Sequence, residues 1–168
     1  MPYHLIQVYM SAEIIQTSQE QPVKLKKILV PVSGTTSDED TINLACDLGK
    51  RSKATIFVVY IIEVQRSLPL DAIVQSDLSN AEQILTRAED IASENDYEVN
   101  TDLIQAREVG AAIVEEAVQK EVDLILMGIE YKKRFGIFYL GEALPYVLEE
   151  APCSVLLLRR PKQGKAKA

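Results

Sequence analysis

The 168-residue sequence has very few of the residues that build metal sites and nucleophilic triads, with one histidine and two cysteines. The histidine, His4, lies far in sequence from every motif described below, so a multi-histidine metal site or a histidine-based triad is not expected. Cys46 and Cys153 lack metal-ligand spacing. We expect two buried thiols, with a disulfide between them as the alternative. The sequence therefore predicts no catalytic residue and no metal ligand.

Long apolar runs and basic residues are also scarce. The longest apolar run, from Ala54 to Ile62, has the length of a buried strand, well short of the ~18–20 residues of a membrane span. Eighteen bases face 25 acids, for a net charge of −7, which argues against nucleic-acid binding because that needs a basic face. The first residues, MPYHLIQVYM, lack the features of a secretory signal. We therefore expect a cytoplasmic protein that binds neither nucleic acid nor a membrane.

Strand-like segments alternate with helix-like segments along the whole chain. Runs of apolar, mostly β-branched residues bounded by turn signals predict strands. The five predicted strands are Lys27–Ser33, Ala54–Val64, Glu98–Gln105, Val122–Gly128 and Cys153–Arg160.

Four segments between these strands have the apolar period of amphipathic helices. Capping boxes are predicted at Ser37–Asp40 and, after a linker over 65–75, at Ser79–Glu82. The first helix is expected to end near Ser52. The last two are predicted over Ala111–Lys120 and over Gly141–Glu150, the latter with a buried stripe of Leu144, Val147, Leu148 and Ala151.

This alternation predicts the α/β class: a single open, doubly wound, Rossmann-like five-stranded parallel sheet with helices on both faces. In such sheets a ligand lies beyond the carboxyl ends of the strands, where the strand order reverses. Residues 32–38 and 127–142 are therefore the expected site region. The domain is predicted to span residues 24–161.

Two terminal segments fall outside this pattern. Residues 1–23 contain HLIQVYM, which is either part of an unstructured leader or a strand added to a sheet edge. Residues 162–168 form a basic tail that we expect to be disordered.

Two segments carry a family resemblance: KKILVPVSG near the front, and MGIEYKKRFGIFYLGEALPYVLEEAPCSVLLLRR at the end. In this order they resemble the universal stress protein family, over roughly Lys26 to Arg160. The resemblance implies a role in stress response or regulation and a homodimer formed by pairing the last strand, Ser154–Arg160, of two subunits. A protein partner is expected, but its identity stays open. The alternative is an edge strand covered by the tail or by the N-terminal extension.

Nucleotide-binding members of that family carry a loop of the form G-x2-G-x9-G followed by Ser or Thr. Glycines let backbone N–H groups approach phosphates, and the helix N-terminus adds partial positive charge. Here Gly128 and Gly141 match the first and third glycines, whereas Tyr131 stands at the second. Glu142 stands where the family has a hydroxyl, and Ser33 stands where an aspartate usually ends the first strand.

These three departures predict a degenerate nucleotide site. The side chain of Tyr131 blocks backbone approach and disfavours positive φ. The carboxylate of Glu142 cannot donate to a phosphate oxygen and repels it, and Ser33 removes an acidic contact to the nucleoside. We therefore predict a regulatory interaction module that has no cofactor and is not an enzyme. The alternatives are weak binding of ATP, another nucleotide or an anion through the basic loop Lys132–Arg134, and a weak nucleotide hydrolase.

Overall fold

The computed structural model describes residues 24–72, 75–130, 132–134 and 137–160. Five parallel strands form one sheet, and two short antiparallel strands form a separate ribbon. The elements follow the chain in the order β1 (Lys27–Val32), α1 (Thr36–Ser52), β2 (Thr55–Glu63), α2 (Gln75–Glu94), β3 (Val99–Ala106), α3 (Val109–Lys120), β4 (Leu124–Ile129), β5 (Lys132–Arg134), β6 (Ile137–Tyr139), α4 (Ala143–Glu150) and β7 (Ser154–Arg159).

Helices cover both faces of the sheet, as the predicted fold class requires. Successive strand residues point to opposite faces, so Ile28 and Val30 of β1 pack on the α1 and α2 side while Leu29 packs on the α3 and α4 side. The apolar stripe of α2 is buried against the first face through Ala81, Leu85, Ala88, Ile91 and Ala92. The α/β prediction is confirmed.

The strand order places the expected ligand position between two particular strands. The sheet runs β3-β2-β1-β4-β7, so β1 pairs with β2 on one side and with β4 on the other. The order along the chain reverses at β1, and the crevice of a doubly wound sheet opens at such a point. Here it opens between the carboxyl ends of β1 and β4.

Both predicted capping boxes are misplaced. The box of α1 is formed by Thr35 and Asp38, not by Ser37 and Asp40. Thr35 has the extended backbone conformation of a capping residue (φ −99°, ψ 163°), so Ser37 already lies in the helix, where it is buried. Helix α2 begins at Gln75, so Ser79 lies one turn inside it. The apolar stripe of α2 packs on the sheet, and that packing outweighs the weak helix propensity of serine.

The segment before the last strand differs most from expectation. The predicted loop contains the ribbon of β5 and β6, with Lys132 paired to Tyr139 and Arg134 to Ile137. Helix α4 begins at Ala143 instead of Gly141. Leu148 was predicted on the buried stripe but is 50% exposed.

Several predictions fall outside the described residues: the extension 1–23, the side chain of Tyr131 and the tail 162–168. Within the described ranges, no helix has the length and apolar character needed to span a bilayer.

Candidate functional site

A cleft of about 300 Å³ lies at the reversal point of the sheet. It is bounded by the turn between β1 and α1, by the end of β4 and by the start of α4. The structure brings together in its lining four of the five residues predicted for the degenerate site: Ser33, Gly128, Gly141 and Glu142. The fifth, Tyr131, lies outside the described residues.

The side chain of Asp38 binds the backbone N–H groups of the turn between β1 and α1. One oxygen of Asp38, Oδ2, accepts hydrogen bonds from the backbone N–H groups of Ser33 (3.0 Å), Gly34 (2.7 Å) and Thr35 (3.1 Å). Gly34 has φ +77°, which aims successive N–H groups at one point. Such a turn has the geometry of an anion site, and here the anion is internal.

The electrostatic state of Asp38 reflects two opposed effects. Burial raises the pKa of its carboxyl above the ordinary value, while the hydrogen bonds from Ser33, Gly34 and Thr35 lower it. Burial is the larger effect. Asp38 falls in the expected site region 32–38, and the Thr35-x-x-Asp38 spacing is a sequence signal of a capping box but not of the bonds to Ser33 and Gly34.

A second carboxylate reaches the same helix terminus from the neighbouring strand. Oε1 of Glu130 accepts hydrogen bonds from the N–H group of Thr36 (3.2 Å) and from its hydroxyl (3.3 Å). Glu130 follows the end of β4, two residues after Gly128. The four consecutive backbone N–H groups from Ser33 to Thr36 therefore donate to Asp38 and Glu130. Sequence reasoning missed Glu130, because its contact with α1 depends on β4 lying beside β1.

Gly128 and Gly141 are required for different reasons. A Cβ on Gly128 would lie 3.0 Å from the hydroxyl oxygen of Ser37 and closer still to that of Thr41. Gly128 therefore lets β4 approach α1 closely, whether or not a phosphate is present. Gly141 has φ +81°, and a Cβ there would meet no atom within 4 Å, so its requirement is conformational.

The remaining predicted positions are polar and accessible. Ser33 is exposed, with its hydroxyl 3.4 Å from that of Thr35. Glu142 is the exposed N-cap residue of α4 with a helical backbone (φ −92°, ψ −34°). It lines both the cleft and a neighbouring cavity of about 580 Å³ that also contains Arg66 and Arg107. The carboxylate of Glu142 therefore borders both cavities.

The two cysteines are free, so the alternative of a disulfide is not realised. Cys46 is buried and Cys153 half-buried, and burial raises the pKa of both thiols above the ordinary value. A raised pKa lowers the thiolate fraction, which is the nucleophilic form. In the part of the chain that the structure describes, no group of three or more histidine, cysteine or carboxylate side chains is arranged to hold a metal ion.

Comparisons with known proteins extend the resemblance noted from the motifs. Residues 24–159 match the model of the universal stress protein family. Universal stress protein MJ0531 of Methanocaldococcus jannaschii is 26% identical over 144 residues, which is 82% of this chain and 84% of that protein.

Solved structures share the fold. The universal stress protein UspA from Lactobacillus plantarum superposes with a TM-score of 0.65 at 19% identity, over 81% of this chain and 99% of that one. The universal stress protein from Archaeoglobus fulgidus in complex with dAMP gives a TM-score of 0.64 at 19% identity, over 80% and 98%. With the family match covering most of the sequence, this chain belongs to the universal stress protein family.

Proposed function

We propose that this protein is a cytoplasmic, homodimeric stress-response regulator that acts through protein contacts and does not bind ATP in the manner of the nucleotide-binding members of its family. One observation carries the proposal. The backbone N–H groups of the turn beside the cleft, from Ser33 to Thr36, already donate to the carboxylates of Asp38 and Glu130.

Charge around the cleft opposes a phosphate. Asp38, Glu130 and Glu142 line a space of about 300 Å³, at the low end of the ~300–1,000 Å³ typical of ligand pockets. A negative charge brought within ~5 Å of a half-buried carboxylate experiences a repulsion of about 3 kcal/mol at an effective dielectric constant of ~20. A nucleotide phosphate would have to overcome this repulsion or displace the internal carboxylates.

The backbone of the degenerate loop supports the same proposal. Residues of β5 and β6 pair with one another across the ribbon. Backbone groups engaged in a strand ladder are not free to bind a phosphate. In nucleotide-binding members this loop supplies donors to the phosphates. In this chain, part of the loop backbone forms hydrogen bonds within the ribbon instead.

A second function, a nucleotide sensor with altered contacts, has specific support. The similar structure from Archaeoglobus fulgidus was solved with dAMP, and Gly128 and Gly141 line the cleft of this chain. For a nucleotide to bind in that cleft, Asp38 or Glu130 would have to release the backbone N–H groups that now donate to their carboxylates. The two functions differ in a direct binding measurement.

Thermal unfolding with and without MgATP tests the proposal. We expect no change in Tm for the unmodified protein up to millimolar MgATP, and no nucleotide in mass spectra of gently purified protein. The variant Ser33→Asp/Tyr131→Gly/Glu142→Ser, with and without Glu130→Gln, should gain measurable affinity in calorimetric titration. A clear rise in Tm of the unmodified protein would overturn the proposal, and no gain in either variant would show that the block lies elsewhere.

The proposed homodimer uses β7, the edge strand beside β4. Leu156 and Leu157 on this strand are 41% and 38% exposed, and an apolar edge strand with unpaired backbone groups favours pairing with a second strand. We expect light scattering to give a dimer at micromolar concentration, Leu157→Glu to give a monomer, and Val118→Glu on α3 to remain dimeric as a matched control. A monomeric unmodified protein would refute the dimer.

A further inference from the structure

A second cavity, of about 630 Å³, lies at the carboxyl ends of β2 and β3. The first turn of α2 and the segment 64–72 complete its walls. Its lining residues are Ile62, Glu63, Val64, Gln65, Leu68, Ala72, Asp77, Leu78, Leu103 and Gln105. None of them lines the cleft between β1 and β4, so this amphipathic cavity is a separate site.

Side chains from the end of β3 hold the wall of the amphipathic cavity in place. The guanidinium of Arg107 donates to the carbonyl oxygens of Val64 (3.2 Å), Gln65 (2.5 Å) and Leu68 (2.7 Å). The amide of Gln105 donates to the carbonyl of Ala72 (2.9 Å). These bonds fix both ends of the segment 64–72. A ligand would therefore enter a preformed space and would not have to order the loop, which favours affinity.

The chemistry of the cavity changes from its floor to its rim. Ile62 and Val64 are buried, with 8% and 6% exposure, and they form one apolar cluster with half-buried Leu103. The charged side chains in the lining, Glu63 and Asp77, are both acidic and both exposed. The space thus offers an apolar interior beneath negative charge, with the amide of Gln105 already engaged.

The neighbouring bases do not reverse this charge. Arg66 and Arg107 line the adjacent cavity of about 580 Å³ instead. Arg66 pairs with Glu108 at 3.4 Å, and Arg107 is directed at the loop carbonyls. Glu63 lines both cavities, and Glu63 and Asp77 are the charged side chains that line the amphipathic cavity.

We propose that the amphipathic cavity binds a small amphipathic cation, with an apolar body against Ile62, Val64 and Leu103 and an ammonium group at the rim carboxylates. Its volume, about 630 Å³, lies within the range typical of sites for small molecules. Charge complementarity selects a cation over a neutral or anionic molecule of the same shape. This site is independent of the proposed function of the cleft.

Three matched probes test the charge preference: octylammonium, octan-1-ol and octanoate, each used below its micelle concentration. Amide shifts in NMR titrations should move first at Leu103, Gln105 and Leu78 with octylammonium. We expect octanoate to bind at least tenfold more weakly than octylammonium, with octanol between them. Equal affinity for the cation and the anion, or no saturable shift at these residues, would overturn the proposal.

Two sets of variants separate this site from general binding of cations to an acidic protein. Glu63→Gln/Asp77→Asn should weaken octylammonium binding about threefold to tenfold, as expected for two exposed ion pairs, and leave octanol unchanged. Asp47→Asn/Glu94→Gln alters net charge equally, at exposed positions outside the lining, and should change neither. Leu78→Trp should narrow the cavity and weaken binding of all three probes. An equal loss in both charge variants would overturn the proposal, even if Leu78→Trp does not fold.

Discussion

The contact between Gly128 and α1 leads to a prediction that separates packing from nucleotide binding. Gly128→Ala places a methyl group 3.0 Å from the hydroxyl oxygen of Ser37 and closer still to that of Thr41. Ser37 and Thr41 are 5% and 1% exposed, so neither can swing into solvent. The strand or the helix must shift instead. Insertion of one carbon into a packed interior costs about 1–3 kcal/mol of unfolding free energy.

The hydroxyl of Thr41 provides the partner for a double-mutant cycle. It donates to the carbonyl of Ser37 at 2.7 Å. Thr41→Ala should cost about 1–2 kcal/mol through the lost hydrogen bond and the lost methyl group. The same change removes the atom nearest to the new Cβ at Gly128. The double variant should therefore be more stable than the sum of the single effects by about 1–2 kcal/mol.

Urea denaturation of the four proteins, followed by far-UV circular dichroism, measures this coupling. For a domain of this size each 1 kcal/mol also lowers Tm by ~2–4 °C. Additive effects, with a coupling below ~0.5 kcal/mol, would refute the packing explanation for Gly128. MgATP should leave the coupling energy of the cycle unchanged, because Gly128 is required for packing against α1 and the proposed function includes no binding of ATP.

Three further predictions concern Asp38, Gly141 and the ion pair that Arg160 forms with Asp40. Asp38→Ala should lower the unfolding free energy by about 1–3 kcal/mol, because the N–H groups of Ser33, Gly34 and Thr35 lose their acceptor. Asp38→Asn keeps an acceptor and should cost less. Burial raises the pKa of Asp38 in the folded state. The contribution of its carboxyl group to stability is therefore present below the unfolded pKa and is lost as pH rises through the folded pKa. In urea titrations, the unfolding free energy of the unmodified protein should fall relative to that of Asp38→Asn over this pH range. Gly141→Ala should cost about 1 kcal/mol, because φ is +81°, and an equal Tm would contradict it. The hydrogen bond from Arg160 lowers the pKa of Asp40. Stabilisation by this exposed pair is therefore present above the unfolded pKa and should decrease as pH falls through the folded pKa or as salt rises. Acid and salt titrations of Arg160→Ala that match those of the unmodified protein would refute this prediction.

The strands of this fold are predictable because burial dictates their composition. Ile28, Leu29 and Val30 all have 0% exposure, and a strand covered on both faces must be apolar at successive positions. Helix starts are less predictable, because Thr35 and Ser37 are equally plausible capping residues by chemistry. The choice depends on where the backbone leaves β1, a property of the turn at Gly34.

Only some residues of the candidate site can be predicted from the sequence. The motif positions Gly128, Gly141 and Glu142 can be located by spacing, and the structure places them in one cleft. The internal carboxylates of Asp38 and Glu130 cannot be located in this way. Asp38 bonds to a turn whose N–H groups converge only after folding, and Glu130 approaches α1 only because β4 pairs beside β1. The local periodicity of the sequence does not determine the order of the strands in the sheet. Contacts that depend on this order can therefore be identified only from the structure.

The central position of β1 also affects how the chain can fold during synthesis. The first three strands pair consecutively as β3-β2-β1, and α1 and α2 cover one face of this half-sheet. Its other face, which includes Leu29, Val59 and Ile61, packs against residues of α3 and α4, which are made later. A nascent chain that ends after β3 therefore presents an apolar surface and an open β1 edge, the features that make partly folded chains prone to aggregate. We expect ribosome-bound chains of this length to depend on a chaperone until β4 and α4 have emerged.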